Sequence, residues 1–302
     1  MVPYLTGLRN PNSVTFYTDA RGQQWLYLAV TDELVRYPYK AGDMKPSGPA
    51  QRLARFPGEG LSYKYGGWHL TRTVAVGSNG KIYVAVGSSC NACIEKPTEI
   101  RAEVVEMNPD GSGLRTYARG LRNAVDMKWV GNRLIATNQG SDHLGDNKPE
   151  ETFYLVQDGK DYGWPYCYQY QGKVYADPKF PRPAGCRNVP LAMSGFPGHA
   201  SALGFQYFDG ASDDDPVLQN SFLVALHGST KTELQHGYRI VRVGANGGAA
   251  QDFITGFQSG PRTINGRPCG ILRVGADAFL FTDDNAGVIY YVFKKRSGFF
   301  TD

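Results

Sequence analysis

Thr73-Val-Ala-Val76, Gly77-Ser-Asn-Gly80 and Lys81-Ile-Tyr-Val-Ala-Val86 run on without a break: an apolar run, a turn, and a second apolar run. Valine, isoleucine and tyrosine favour a pleated, packed surface. Gly-Ser-Asn-Gly supplies the small residues that a tight reversal requires. Neither run carries a 3.6-residue period, so the stretch reads as an antiparallel strand pair and not a helix. The same phrase returns along the chain. Ser13-Val-Thr-Phe-Tyr17 and Gln24-Trp-Leu-Tyr-Leu-Ala-Val30 flank Asp19-Ala-Arg-Gly22, and Ala124-Val-Asp-Met-Lys-Trp129 and Arg133-Leu-Ile-Ala-Thr137 flank Val130-Gly-Asn132. Leu203-Gly-Phe-Gln-Tyr-Phe208 is followed by Ser221-Phe-Leu-Val-Ala-Leu226, and Cys269-Gly-Ile-Leu-Arg-Val274 by Ala278-Phe-Leu-Phe-Thr282. Most units add an outer strand, such as Val104-Val-Glu-Met107 or Val288-Ile-Tyr-Tyr-Val-Phe293.

Five copies of one small antiparallel unit, spaced by roughly 50–75 residues, point to an all-β chain folded as a β-propeller. A β-sandwich does not account for one repeating phrase. Residues 1–302 are read as a single propeller domain, with Gly/Pro/Asp-rich loops inserted at 138–150 and 165–200. The first unit starts near residue 10 with nothing recognisable before it, so the expectation is either a five-bladed ring or an N-terminally truncated larger one.

Composition agrees. The 302 residues include 37 glycines, well above the usual share of about 7 %, and they lack a three-residue period. The formal charge of +4 comes from scattered Lys and Arg, so no nucleic-acid arm is expected. No apolar run is long enough for a membrane span, and the N-terminus lacks the apolar stretch of a signal peptide. Of five cysteines, Cys90 and Cys93 form a CxxC that suits a local disulfide better than half a zinc site, since no further ligands follow at close spacing. Cys167 and Cys186 bracket a Pro-rich loop, a second candidate staple, and Cys269 is expected to be a buried thiol.

In a propeller, loops at one end gather polar groups from distant sequence. Five stretches qualify. Gly66-Gly-Trp-His-Leu-Thr-Arg72 places His69 just before an inner strand, with Arg72 three residues on. Gly120-Leu-Arg-Asn123 puts Arg122 and Asn123 at the matching place in the next unit, a pairing able to hold an anionic ligand. Asn138-Gln-Gly-Ser-Asp-His-Leu-Gly-Asp-Asn147 offers carbonyls and carboxylates to a hard cation, without EF-hand spacing. His143 in that loop ranks below His69 as a base. His227-Gly-Ser-Thr-Lys231 and Gly266-Arg-Pro-Cys-Gly270 supply Lys231 and Arg267. There is no GxSxG elbow, Walker loop, HExxH or GxGxxG, so common hydrolase, NTPase and nicotinamide sites are not expected.

Taken in order, GGWHLTRT, GSSCNAC, NPDGS, GLRN, NQGSDHLGD, DGKDYGWPYC, HGS, GYRIVRV, DFITGF, GRP and FTDDNAGVIYYV resemble the glucose/sorbosone dehydrogenase family, the soluble PQQ-dependent sugar dehydrogenases, over roughly residues 10–293. The resemblance implies a six-bladed propeller whose first blade, and any export signal, are not seen in this chain. It implies a periplasmic or secreted enzyme that oxidises the anomeric hydroxyl of an aldose by hydride transfer to C5 of pyrroloquinoline quinone (PQQ). His69 is the implied base, with Arg122 beside it. Arg122, Lys231 and Arg267 would meet the quinone's carboxylates, Asn123 and Gln139 its polar edge, and Ca2+ would bind backbone oxygens at Gly140 and Ser141. The sugar is the implied small-molecule partner, and the electron acceptor, a quinone or a cytochrome, is not specified.

The departures are specific. Thr230-Lys231-Thr232 follows the HGS phrase where relatives often have Trp and then Asn-Arg, so Lys231 is placed by position alone. Ser141 stands for a proline of some relatives, and the longer spacing from Glu151 to Gly159 argues against a second calcium through Glu151 and Tyr162. The alternatives are a propeller that binds carbohydrate or protein without the cofactor, and a metal-dependent lactonase. For the lactonase, Asn138, Asp142 and Asp146 lie in one loop, not on separate blades.

Overall fold

A computed structural model describes residues 2–58, 61–62, 66–181, 185–210 and 216–294. The bracketed Pro-rich loop therefore falls partly outside the described residues, at 182–184. The chain is an all-β, five-bladed propeller arrangement. Blade 1 comprises β1 (Ser13–Thr18), β2 (Gln24–Ala29), β3 (Glu33–Tyr39) and β4 (Gln51–Arg55). After the two-residue pair β5 (Leu61–Ser62) and β6 (Gly66–Gly67), blade 2 follows as β7 (Arg72–Val76), β8 (Ile82–Val86), β9 (Glu103–Met107) and β10 (Arg115–Arg119). Blade 3 joins β11 (Ala124–Val130), β12 (Arg133–Asn138) and β13 (Glu151–Val156). A hairpin of β14 (Cys167–Tyr170) and β15 (Lys173–Ala176) is inserted before its outer strand β16 (Ser194–Phe196). Blade 4 is β17 (Ala202–Phe208), β18 (Ser221–Leu226), β19 (Arg239–Gly244) and β20 (Gln251–Ile254). The short pair β21 (Gln258–Gly260) and β22 (Thr263–Ile264) leads to blade 5, which has three strands among the described residues: β23 (Pro268–Arg273), β24 (Ala278–Asp283) and β25 (Val288–Phe293).

Each blade is an antiparallel meander, and β7 pairs with β8 from Arg72↔Val86 to Val76↔Ile82 around the turn quoted first. The innermost strands β1, β7, β11, β17 and β23 pack in that order, one blade on the next. Strands such as β8 and β18 are buried along their whole length, because both faces of an inner blade are covered. Their continuous apolar runs follow from that.

The core is divided accordingly, with one apolar cluster between each pair of neighbouring blades. Tyr27 and Leu34 meet Ile82 and Val105 between blades 1 and 2. Tyr83 and Val104 meet Met127 and Tyr154 between blades 2 and 3. Phe153 and Phe196 meet Phe205 and Phe222 between blades 3 and 4, and Phe208 and Leu223 meet Phe279 and Phe281 between blades 4 and 5. Tyr4, Leu5 and Leu8 cover part of the outer face of blade 1. The two ends of the arc differ from the interior. Phe16 on β1 is 54 % exposed and Phe293 on β25 is 59 % exposed. Among the described residues, no substantial packing joins blade 5 to blade 1.

The inner strands β11, β17 and β23 each carry a register irregularity at their first residues, Ala124/Met127, Ala202/Phe205 and Pro268/Ile271. Such bulges bend a strand and re-aim the residues beside it, and here they sit at the start of the innermost strand in three successive blades. Both staples are formed, Cys90–Cys93 and Cys167–Cys186. Cys269 departs from expectation. It is half-buried, because it lies at the bulged start of β23 and not within the blade.

Phe153 is fully buried, with ring centroids of Phe205 and Phe222 at 5.0 and 5.1 Å. Phe153→Ala leaves a cavity shared by two blades and is expected to cost about 3–5 kcal/mol. Urea denaturation should show this as a lower midpoint at unchanged slope; a wild-type midpoint would mean that the two blades do not share this core.

Candidate active site

Arg72 opens β7 as a fully buried guanidinium. It donates to the carbonyls of His69 (2.7 Å), Thr71 (2.8 Å) and Pro57 (2.9 Å). Burial pulls its pKa down to about 9, and Arg101 adds to the effect. Its task is therefore to hold the loop, not a ligand. The grip on the His69 carbonyl accompanies a left-handed backbone at His69, φ 52°, a conformation uncommon for a residue with a side chain.

The His69 ring lies half-buried, with Nδ1 3.0 Å from the Ser88 carbonyl and 2.9 Å from the Ser88 hydroxyl. That hydroxyl donates its hydrogen to the Cys90 carbonyl at 2.7 Å. Both neighbours of Nδ1 are thus acceptors, so Nδ1 carries the ring hydrogen and Nε2 keeps its lone pair. Among the described residues Nε2 has no hydrogen-bond partner. A Cβ on Gly87 would lie 2.5 Å from the His69 Cβ and 2.7 Å from Asn123 Oδ1, so only glycine admits this approach.

Arg122 and Asn123 enter from the start of β11. Arg122 is 4 % exposed. Its Nε donates to Asn91 O (2.8 Å), Nη2 to Asn91 Oδ1 (2.9 Å) and Nη1 to Gln139 O (3.4 Å). The nearest carboxylate, Asp142, is 3.8 Å away. Burial lowers the Arg122 pKa, and Asp142 and Glu151 oppose that shift. Asn123 Nδ2 donates to Gln139 Oε1 at 2.8 Å. His69, Arg122, Asn123 and Gln139 therefore form one connected group at the mouth. Desolvation, then the Arg122 charge, pull the His69 pKa down to about 3.

Gly140 and Ser141 continue from Gln139. A Cβ on Gly140 would meet Pro149 at 2.4 Å. The Gly140 N–H donates to Glu151 at 3.3 Å, and Ser141 Oγ accepts from Trp164 at 3.0 Å. Burial raises the Glu151 pKa to about 7. A small cavity of about 30 Å³ lies beside this turn, lined in part by Arg122, Gln139, Gly140, Ser141, Tyr162 and Trp164.

Lys231 pairs with Asp146, at 2.6 Å, with both partners exposed. Arg267 stands in a second group. It donates to Gly228 O (2.8 Å), Ser229 O (3.2 Å) and Tyr238 OH (3.2 Å), and approaches His227 Nδ1 at 3.5 Å. Among the described residues it has no carboxylate within ion-pair distance. His143 binds buried Asp177 at 2.9 Å and packs on Phe180, which makes it an anchor for its loop. Asn138 is occupied by the Asn123 N–H and Thr152, while Asp142 and Asp146 turn to His199 and Lys231, so these three do not converge as metal ligands.

Several site residues have no motif of their own in the sequence reading. His199 is three residues before β17, as His69 is three residues before β7, and it shares the left-handed backbone, φ 64°. Aligning the repeats by strand start reveals it. Its Nε2 donates to Gly145 O (2.8 Å) and its Nδ1 faces the Asp142 carboxylate (3.2 Å), a hydrogen bond that raises its pKa. Ser88 and Asn91 belong to the GSSCNAC phrase, but nothing in the phrase shows which side chains they meet.

No family model matches the chain. An uncharacterized protein of Borreliella burgdorferi is 27 % identical over 237 residues, 76 % of this chain and 61 % of that protein, so this chain spans under two thirds of the relative's length. Similar solved structures include the holo PQQ domain of pyranose dehydrogenase from Coprinopsis cinerea, with a TM-score of 0.72 at 17 % identity, covering 97 % of this chain and 94 % of that one. A calcium structure of a carbohydrate-active enzyme of family AA12 from Trichoderma reesei gives 0.73 at 16 %, covering 95 % and 93 %. The apo soluble aldose sugar dehydrogenase of Escherichia coli gives 0.60 at 13 %, covering 93 % and 77 %.

The folded His69 pKa lies below the ordinary 6.5. The unfolded chain therefore takes up that proton first, and His69 reduces stability progressively as pH falls from 6.5 towards 3. Ring ¹⁵N shifts of His69 are expected to stay those of a neutral imidazole from pH 8 down to about pH 4; a midpoint near 6.5 would contradict the burial and charge assigned to this ring. These geometric likenesses establish a common architecture: the chain has the fold of the PQQ-type sugar dehydrogenase propellers.

Proposed function

We propose that the chain is a quinoprotein oxidoreductase that oxidises the anomeric hydroxyl of an aldose, with His69 as general base. The observation that carries this reading is His69 itself, a neutral imidazole with Nδ1 held by Ser88 and Nε2 without a partner among the described residues, beside a buried guanidinium. The named activities of the fold neighbours point the same way.

The donor set suits PQQ, a tricarboxylate. Arg122 spends most of its hydrogens on carbonyl oxygens, and Arg267 has no carboxylate partner among the described residues. The exposed Lys231–Asp146 pair has little net strength, so Lys231 is free to exchange partners. Arg122, Lys231 and Arg267 would hold the carboxylates, and Asn123 and Gln139 the polar edge. The oxygens of Gly140 and Ser141 would hold calcium, whose preference is for such ligands. Bound there, PQQ would supply a two-electron oxidant and calcium a Lewis acid.

His69 Nε2 accepts the proton of the sugar hydroxyl, while Nδ1 stays hydrogen-bonded to Ser88. Burial and the Arg122 charge both disfavour the resulting imidazolium. An anion on Arg122 offsets that charge and moves the base towards its working range. Export to the periplasm or the exterior accords with two disulfides, and no helix among the described residues is long and apolar enough to cross a membrane. A quinone or a cytochrome would serve as the electron acceptor.

One observation favours the alternative of a carbohydrate- or protein-binding propeller without cofactor: Asp142 and Asp146 already stand against Arg122 and Lys231. Titration with PQQ and calcium separates the two readings. The enzyme reading expects a bound-quinone absorption band and sugar-dependent dye reduction; folded protein that gives neither refutes it. His69→Gln should lower turnover by roughly 10²–10⁴-fold and leave PQQ affinity within twofold, whereas a parallel loss of affinity would assign His69 to binding. PQQ should also raise the His69 pKa above about 3 in ¹⁵N titrations; an unmoved value would separate the quinone from Arg122.

A further inference from the structure

The CxxC phrase has no role in the chemistry above, yet its backbone and side chains touch both halves of the site. The Cys90–Cys93 disulfide closes a tight loop. Within it, the Cys90 carbonyl takes the hydroxyl hydrogen of Ser88, which leaves that oxygen as an acceptor for His69 Nδ1–H. The Ser88 carbonyl keeps the ring hydrogen on Nδ1 in any case. Were the Cys90 carbonyl displaced, the Ser88 hydroxyl would be released from its fixed role, and the ring would lose one of the two acceptors that hold Nδ1–H.

One residue further on, Asn91 binds Arg122 twice, through O to Nε and through Oδ1 to Nη2. Its Oδ1 also accepts the Asp142 N–H at 2.9 Å, which ties the loop after β12 to the same point. The far side of the disulfide loop is pinned as well, since Glu95 accepts from Ser89 N (2.6 Å) and Ser89 Oγ (2.7 Å). Cys90, Cys93 and Glu95 converge closely enough to suggest a metal site, but both thiols are consumed in the disulfide.

We propose that the disulfide-closed loop Cys90–Cys93 is the positioning element of this site, holding the His69 ring in place through the Ser88 hydroxyl and the plane of Arg122 through Asn91. Asn91 is thus a positioning residue and touches no reacting atom. The inference rests on the reading of His69 as base and Arg122 as cofactor cation. Its first readout does not depend on that reading.

The test uses the full chain. In the apo protein the His69 Nδ1–H should give a resolved, slowly exchanging proton resonance, and the Cys90→Ser/Cys93→Ser double variant should lose it to solvent exchange, with the near-ultraviolet circular dichroism of the fold retained. In titrations monitored by absorbance, Asn91→Ala, with the disulfide intact, should bind PQQ roughly tenfold more weakly, as expected for one lost charge-assisted hydrogen bond. Asn91→Asp should restore the Nη2 contact but place a carboxylate on Arg122, so PQQ affinity should remain below wild type. A wild-type Nδ1–H resonance in the double variant, or wild-type PQQ affinity in Asn91→Ala, overturns the proposal. Wild-type protein that binds no PQQ would sink the functional reading alone, and the Nδ1–H measurement would then decide the loop's role. Asn91→Ala decides it if the double variant does not fold.

Discussion

Arg72 lies fully buried at the head of β7, and its guanidinium is held by three carbonyl oxygens with no carboxylate among them. A buried cation in such a place is costly unless its hydrogens are satisfied. Here three backbone carbonyls of the segment leading to β7 take hydrogens from Nη1 and Nη2, while the buried Nε has no partner among the described residues. The same contacts that accommodate the charge therefore fix the loop, and the ring orientation follows from the left-handed backbone at His69. With the ring set, Ser88 accepts from Nδ1, and the missing side chain of Gly87 leaves the space that His69 Cβ and Asn123 Oδ1 approach. The position of His69 is a consequence of packing a charge.

The propeller supplies what a single blade cannot. His69 precedes β7, Arg122 precedes β11, His199 precedes β17 and Arg267 precedes β23, so four innermost strands deliver side chains to one end. Bulges at the start of three of those strands turn their first residues towards the mouth. The electrostatics are those of an incomplete neutralisation. Arg122 and Arg267 face carbonyls, and the aspartates that approach Arg122 and Lys231 come from one loop. The Asp146 pKa is lowered by Lys231, and that of Asp142 by His199 and Arg122 in spite of burial. Such a mouth sets incompletely neutralised cations beside a neutral imidazole, and the proposed function rests on that arrangement.

Much of this is legible in the sequence, for identifiable reasons. Blades are legible because strands covered on both faces become uninterrupted apolar runs, as in Lys81-Ile-Tyr-Val-Ala-Val86, and because glycine and asparagine mark each turn. His69, Arg122, Asn123, Gln139 and Arg267 are legible because they sit next to strand starts and ends. Their partners are not. Asn91 reaches Arg122 across 31 residues, and His199 reaches Asp142 across 57, and no local pattern encodes either contact. Arg72 reads as a mouth residue from its spacing to His69, whereas its burial shows it to be a tether. His143 reads as a solvated loop residue, and the buried Asp177 that holds it lies on the hairpin side of the insertion. The half-burial of Cys269 and the three-stranded blade 5 depend on what packs beside them, which sequence spacing does not report.

The chemistry assigned to the mouth requires the carbon–hydrogen bond at the anomeric centre to break while His69 takes the hydroxyl proton. Single-turnover reduction of the PQQ- and calcium-loaded protein by an aldose deuterated at C1 tests this most directly. The account predicts slower reduction with deuterium at C1 and none with deuterium at C2. Equal rates for the protiated and C1-deuterated sugar, with chemistry shown to limit the step, would contradict it.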